Sequence, residues 1–246
     1  MLRKAADDRK RKHSVDESPL KARPELSLLC GVSNVLQFLG TSFNHASRTH
    51  EGHRCDCTCM YGVVWYFVPY AVVRQRYWKH GGIRRSEMVL FVASLAAGLL
   101  LFWPLTSVYY TDPRCELIEA LTVASLALLT LALDRRFTRR HRGNIVLRGS
   151  LIGAAAGVLI FGAICQKLDI RKVGCNPMSF FQLHGVWHCC SASTLLLVYQ
   201  YFRSERRVAP AGAAAAFAAP DSETERLRSG EAAAPASEPE SLWVRD

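Results

Sequence analysis

Gln182-Leu183-His184-Gly185-Val186-Trp187-His188 sets two imidazoles four residues apart within an otherwise apolar stretch. On a helix, residues i and i+4 share one face about 6 Å apart. Two ring nitrogens so placed can bind one Zn²⁺ at about 2.0 to 2.1 Å. Two imidazoles make half a site. A third ligand and an open fourth position would make a catalytic centre, because zinc polarises a carbonyl and lowers the pKa of a water it holds to about 7.

The elements that must position this pair are membrane-length helices. The chain has 246 residues, is 50% hydrophobic and 21% charged, and carries a formal net charge of +10. Those charges cluster in residues 1–25, in short interior groups and after Arg203. Between them, Glu87 to Leu105 and Ser150 to Cys165 are apolar all round rather than amphipathic, which is the pattern of helices surrounded by lipid. Composition thus points away from a soluble or nucleic-acid-binding protein and predicts an all-α, polytopic transmembrane bundle. Six spans are expected, at about 26–48, 58–77, 87–109, 115–134, 148–167 and 179–202, each near the roughly 20 residues a crossing needs. Residues 1–25 read as a basic cytosolic tail and 204–246 as a disordered, Ala-, Pro-, Ser- and Glu-rich cytosolic tail. The first 25 residues lack the apolar centre of a cleavable signal, so the first span is expected to direct insertion.

Lys and Arg set the orientation. The N-terminal tail holds eight, Arg74 to Ser86 five and Arg135 to Arg148 six, whereas Arg48 to Cys57 holds two, Arg114 stands alone and Lys167 to Met178 holds three. The alternation predicts cytosolic termini, with the basic-poor loops facing the lumen or exterior. Arg9-Lys10-Arg11-Lys12 would be a nuclear signal in a soluble chain. Beside a first span it reads as a contact with anionic lipid.

This topology brings a third imidazole to the depth of the pair. His45 lies near the outer end of the first span, and His184 and His188 lie in the outer half of the last. His45, His184 and His188 are therefore the expected zinc ligands. Thr41 and Ser42 precede His45 by four and three residues, so a hydroxyl shares its face and could stabilise an oxyanion. Asp56, at the start of the second span, is a candidate general base, though a carboxylate at a helix N-terminus is favoured there anyway. Glu116 and Glu119 enter the fourth span at the same depth, where an acid is a functional candidate by default. Cys55, Cys57 and Cys59 beside His50 and His53 raise a second metal site, but alternate cysteines lack the usual C-x₂-C spacing. A lumenal disulfide to Cys115 or Cys175 is the other reading of those thiols.

Gly40-Thr41-Ser42-Phe43-Asn44-His45-Ala46-Ser47, Asp56 with Met60-Tyr61, Cys175-Asn176-Pro177-Met178-Ser179, and Gln182 to His188 together resemble the alkaline ceramidase family, over about residues 28 to 205. That family belongs to a superfamily of seven-span membrane hydrolases that includes the adiponectin-type receptors. The resemblance implies Zn²⁺ on His45, His184 and His188, Asp56 assisting the water, and Thr41 standing where the family has Ser. The implied reaction is hydrolysis of the amide bond of ceramide to a sphingoid base and a fatty acid; the site is expected on the lumenal or extracellular side, in an ER or Golgi membrane if the chain is eukaryotic. Asn176 replaces the family's usual acidic residue. The family's first span and the calcium-binding residues before it have no counterpart in residues 1–25, so no Ca²⁺ site is expected. A non-catalytic, receptor-like bundle with structural zinc is the competing expectation. A metal transporter fits less well, because acidic pairs do not line a crossing path.

Overall fold

The computed structural model describes residues 17–110, 115–173 and 182–208. Cys175, Asn176, the N-terminal basic run and the tail after residue 208 lie outside the described residues, as do the side chains of Cys115 and Glu116. Among the described residues the chain forms seven helices: α1 (Pro19–Ala22), α2 (Pro24–Ser47), α3 (His50–His80), α4 (Arg85–Tyr110), α5 (Cys115–Arg140), α6 (Gly149–Ile170) and α7 (Leu183–Arg203). Two short strands, β1 (Ile145–Val146) and β2 (Arg206–Arg207), pair antiparallel and tie the α5–α6 connection to the end of α7.

The α2–α3 turn does most to position the site. Pro24 starts α2, where its missing N–H costs nothing. Arg48 ends the helix in the left-handed conformation at φ 50°, and its N–H bonds the Asn44 carbonyl. Thr49 then caps α3 by accepting from the Gly52 N–H. So tight a link makes α2 and α3 antiparallel, which brings His45 and Asp56 to the same end. At Gly40 a Cβ would stand 3.0 Å from the Cys55 carbonyl oxygen and 3.2 Å from the Cys59 sulfur. A side chain there would push the two helices a few tenths of an ångström apart.

α3 is the hub, packed against α2, α4 and α5, while α6 and α7 pair with one another. At Gly162 a Cβ would come within 2.6 Å of the Cys190 Cβ, so α6 meets α7 through a missing side chain. The buried aromatic core of Tyr66, Phe67, Tyr70, Phe91, Phe137 and Phe202 lies between α3 and its neighbours. Outside it, Leu100, Leu101, Leu128 and Ile160 are 62 to 76% exposed, far more apolar surface than a water-facing protein keeps. Among the described residues four helices are long and apolar enough to cross a membrane: Pro24–Ser47, Arg85–Ser107, Leu117–Arg140 and Gly149–Ile170. α3 and α7 fall outside that set because they carry the polar groups, Arg54, Asp56 and Arg74 on one and His184 and His188 on the other.

Arg74 departs from the sequence expectation. Counted by sequence among the loop charges, it lies inside α3 with no exposed surface. Its guanidinium is drawn in by Asp134 and Glu205, which face it from α5 and from the residues after α7.

Candidate metal centre

His45 sits at the last turn of α2, and His184 and His188 one turn apart at the start of α7. Their Nε2 atoms form a triangle with edges of 3.1, 3.2 and 3.4 Å. In a neutral imidazole Nε2 carries either a hydrogen or a lone pair. Of three such atoms at least two must be alike, so no choice of tautomers satisfies all three contacts. One cation at the centre satisfies three lone pairs at once. For Zn–N of about 2.0 to 2.1 Å, a tetrahedral site separates its nitrogens by about 3.3 Å, which these edges match. The donor set therefore fits Zn²⁺.

A fourth side chain fixes one of the rings. Gln166, on α6, puts its Oε1 3.0 Å from His184 Nδ1, and an amide oxygen can only accept. Nδ1 then carries the hydrogen and Nε2 is left as the ligating lone pair. Asp169 Oδ2 stands 3.8 Å from the same nitrogen. Sequence reasoning does not single out Gln166, although it shares a polar face with Asp169 one turn on. Gln166→Leu is expected to weaken zinc binding by about 10- to 100-fold, read by competition with a chromogenic chelator. Unchanged affinity would make the contact incidental.

Asp56 is held by three donors. Gln37 Nε2 and the Thr41 hydroxyl donate to Oδ1 at 3.0 and 2.5 Å, and Asn44 Nδ2 donates to Oδ2 at 2.9 Å. Gln37 also donates to Thr41 Oγ1 at 2.8 Å, so the Thr41 proton is directed at Asp56. Gln37, Thr41 and Asn44 lie at i, i+4 and i+7 of α2, a polar stripe that passes beside His45. A carboxylate has about four acceptor positions; three are filled, and one on Oδ2 remains. The carboxylate is close enough to His184 and His188 to act on both electrostatically. Thr41 thus joins Asp56 rather than standing free for an oxyanion. Ser42, one position on, is exposed and is not among the partners of Asp56.

Glu119 joins a different group. Its Oε1 lies 2.9 Å from His53 Nε2 and 3.2 Å from the Cys57 sulfur. The hydrogen bond it donates to Glu119 raises the His53 pKa above its ordinary value, with burial opposing it. Cys55 and Cys59 are free thiols, and the Cys57 sulfur is engaged by His53 and Glu119. The Cys55 backbone and the Cys59 sulfur lie against α2 at Gly40, and the Cys57 sulfur faces Glu119 on α5.

An apolar groove of about 320 Å³ runs between α2, α3 and α4, lined by Leu36, Cys55, Cys59, Leu95, Leu99 and Trp103 among others. Fold and site define an all-α bundle with four membrane-length helices, a three-imidazole cluster at one end and an oriented carboxylate beside it. No family model, curated protein or solved structure matches the chain.

Proposed function

We propose that this chain is a six-span, zinc-dependent membrane amidohydrolase of the alkaline ceramidase kind. It cleaves a ceramide-like lipid amide to a sphingoid base and a fatty acid. The observation that carries the reading is the triangle of three Nε2 atoms, with Asp56 held beside it by three donors. Its termini are cytosolic and its site faces the lumen or exterior, as the distribution of Lys and Arg indicates.

Bound zinc would supply Lewis acidity toward the amide carbonyl and acidify a water. The chain's own residues do the rest. Gln37, Thr41 and Asn44 hold the Asp56 carboxylate so that its remaining Oδ2 position can accept the proton of that water and return it to the departing nitrogen. Gln166 keeps His184 in the ligating tautomer. The groove beside Cys55 offers an apolar hydrocarbon chain a path away from the polar end, and a lipid can enter it sideways from the bilayer.

A non-catalytic scaffold is favoured by one observation. α7 meets α2 through side chains rather than close backbone packing, the imidazoles at one end and the Tyr199 hydroxyl on Ser27 at the other, so zinc would also staple the two helices at the site end. Purified chain in detergent, zinc-loaded or stripped with a chelator, separates the readings with a fluorescent ceramide as substrate. The hydrolase predicts release of labelled fatty acid that stops on chelation and returns with zinc. Full zinc content without turnover of any lipid amide would leave the scaffold.

A further inference from the structure

His53 and Cys57 lie one turn apart on α3, and Glu119 faces them from the first turns of α5. His53 Nε2, Cys57 Sγ and Glu119 Oε1 form a second closed triangle, with edges of 2.9, 3.2 and 3.5 Å. We propose that these three side chains bind a second Zn²⁺, separate from the three-histidine centre, which clips α5 to α3.

Tetrahedral zinc with bonds of about 2.0 to 2.2 Å to N and O and 2.3 Å to S sets its ligands about 3.3 to 3.6 Å apart. The triangle reaches those spacings by opening a few tenths of an ångström, well within side-chain rotation. The donors also select the ion. Thiolate and imidazole suit zinc and are poor partners for Ca²⁺ or Mg²⁺, which take oxygen ligands.

Charge favours the same ion. One thiolate, one carboxylate and one neutral imidazole balance Zn²⁺ to zero, so the loaded cluster can lie in a bundle of low polarity at little desolvation cost. Binding releases the Cys57 thiol proton and any proton His53 carries to solvent. Without metal the same atoms form a hydrogen-bonded triad around one carboxylate oxygen, which is the arrangement to be excluded.

The clip has mechanical work to do. The apolar stretch of α5 is the least buried of the four membrane-length helices, with 6% of it inside the protein. Its polar attachments to α3 stand toward opposite ends, Glu119 at one and Asp134 on Arg74 at the other. A metal at Glu119 fixes the helix end nearer the three-histidine centre.

Full-length chain purified in detergent is loaded with Zn²⁺ or Co²⁺, and its metal content and absorption are measured. Wild type is expected to hold two zinc ions per chain, and His188→Ala, Cys57→Ser and Glu119→Gln one each. A sulfur-to-cobalt charge-transfer band is expected in wild type and in His188→Ala but not in Cys57→Ser. The three-histidine centre has no sulfur ligand, so this band reports the second site alone, whether or not the first site binds metal or turns over substrate. Absence of the band from wild-type protein, or its survival in Cys57→Ser, would overturn the proposal. Glu119→Gln keeps side-chain size, and an unchanged elution profile and helical ellipticity guard against misfolding.

Discussion

His188→Ala is expected to lose both the zinc of the three-histidine centre and all turnover, whereas Asp56→Asn keeps that zinc and loses about 10²- to 10⁴-fold in kcat. The contrast follows from what each group touches. His188 Nε2 shares two edges of the triangle, with His45 and with His184. Without it two imidazoles on different helices remain, too few to retain zinc against a chelator. Asp56 is a neighbour of the metal position and not part of the triangle. Its asparagine keeps size and partly keeps the contacts to Thr41 and Asn44, but an amide cannot take up a proton at neutral pH. Fluorescent ceramide turnover and zinc per chain, measured on the same preparations, give the result. Asp56→Asn with wild-type kcat would remove the general base from the mechanism. Its losing zinc along with activity would make Asp56 a ligand.

The helices were legible because apolar residues run without interruption between clusters of Lys and Arg, and each expected stretch lies within a helix or nearly so over its described residues. Membrane length and apolarity hold for four helices, since α3 and α7 trade hydrophobic positions for the site. The histidines were legible because His184 and His188 share a face by spacing and the alternation of charged loops puts His45 at their depth. The partners of Asp56 were half legible: Thr41 stood out as a hydroxyl on the face of His45, whereas nothing tied Gln37 to the carboxylate. Their i, i+4, i+7 relation with Asn44 was the signal that joins them. Glu119, Cys57 and His53 were each conspicuous, but nothing in the spacing says that residues 62 apart close one triangle. That depends on the rotation of α5 against α3, which the packing of Tyr61, Phe102 and their neighbours sets. Arg74 was misplaced for a related reason, because a charge at a span boundary is assigned to water unless its buried partners are known.

Those partners make Arg74→Met the substitution expected to cost the fold most, about 3 to 5 kcal/mol. Arg74 and Glu205 have no exposed surface and Asp134 has 6%. The guanidinium donates to Asp134 at 2.5 Å, lies 2.5 Å from Glu205 and covers the Phe137 ring at 3.8 Å. Tyr201 donates to Asp134 at 2.8 Å and Trp78 to Glu205 at 2.9 Å. Methionine fills the space but leaves two buried carboxylates without their cation.

The loss depends on pH, with a definite sign. Burial already pushes the Glu205 carboxyl up to about 7, against the opposing pull of Arg74. Removing Arg74 raises it further, so the folded chain holds a proton that the unfolded chain gives up above its ordinary value of 4.5. Stability of the variant therefore falls as pH rises from that value through 7, and the deficit is larger at about pH 8 than at about pH 5.5. Arg74→Met combined with Asp134→Asn and Glu205→Gln removes the charges together and recovers most of the loss, since it is the uncompensated charge that destabilises. Thermal unfolding in detergent, followed by tryptophan fluorescence at both pH values, measures all of this. A single variant within about 0.5 kcal/mol of wild type, or a triple variant no better than the single, would show that packing of the aromatic core rather than charge closes this end of the bundle.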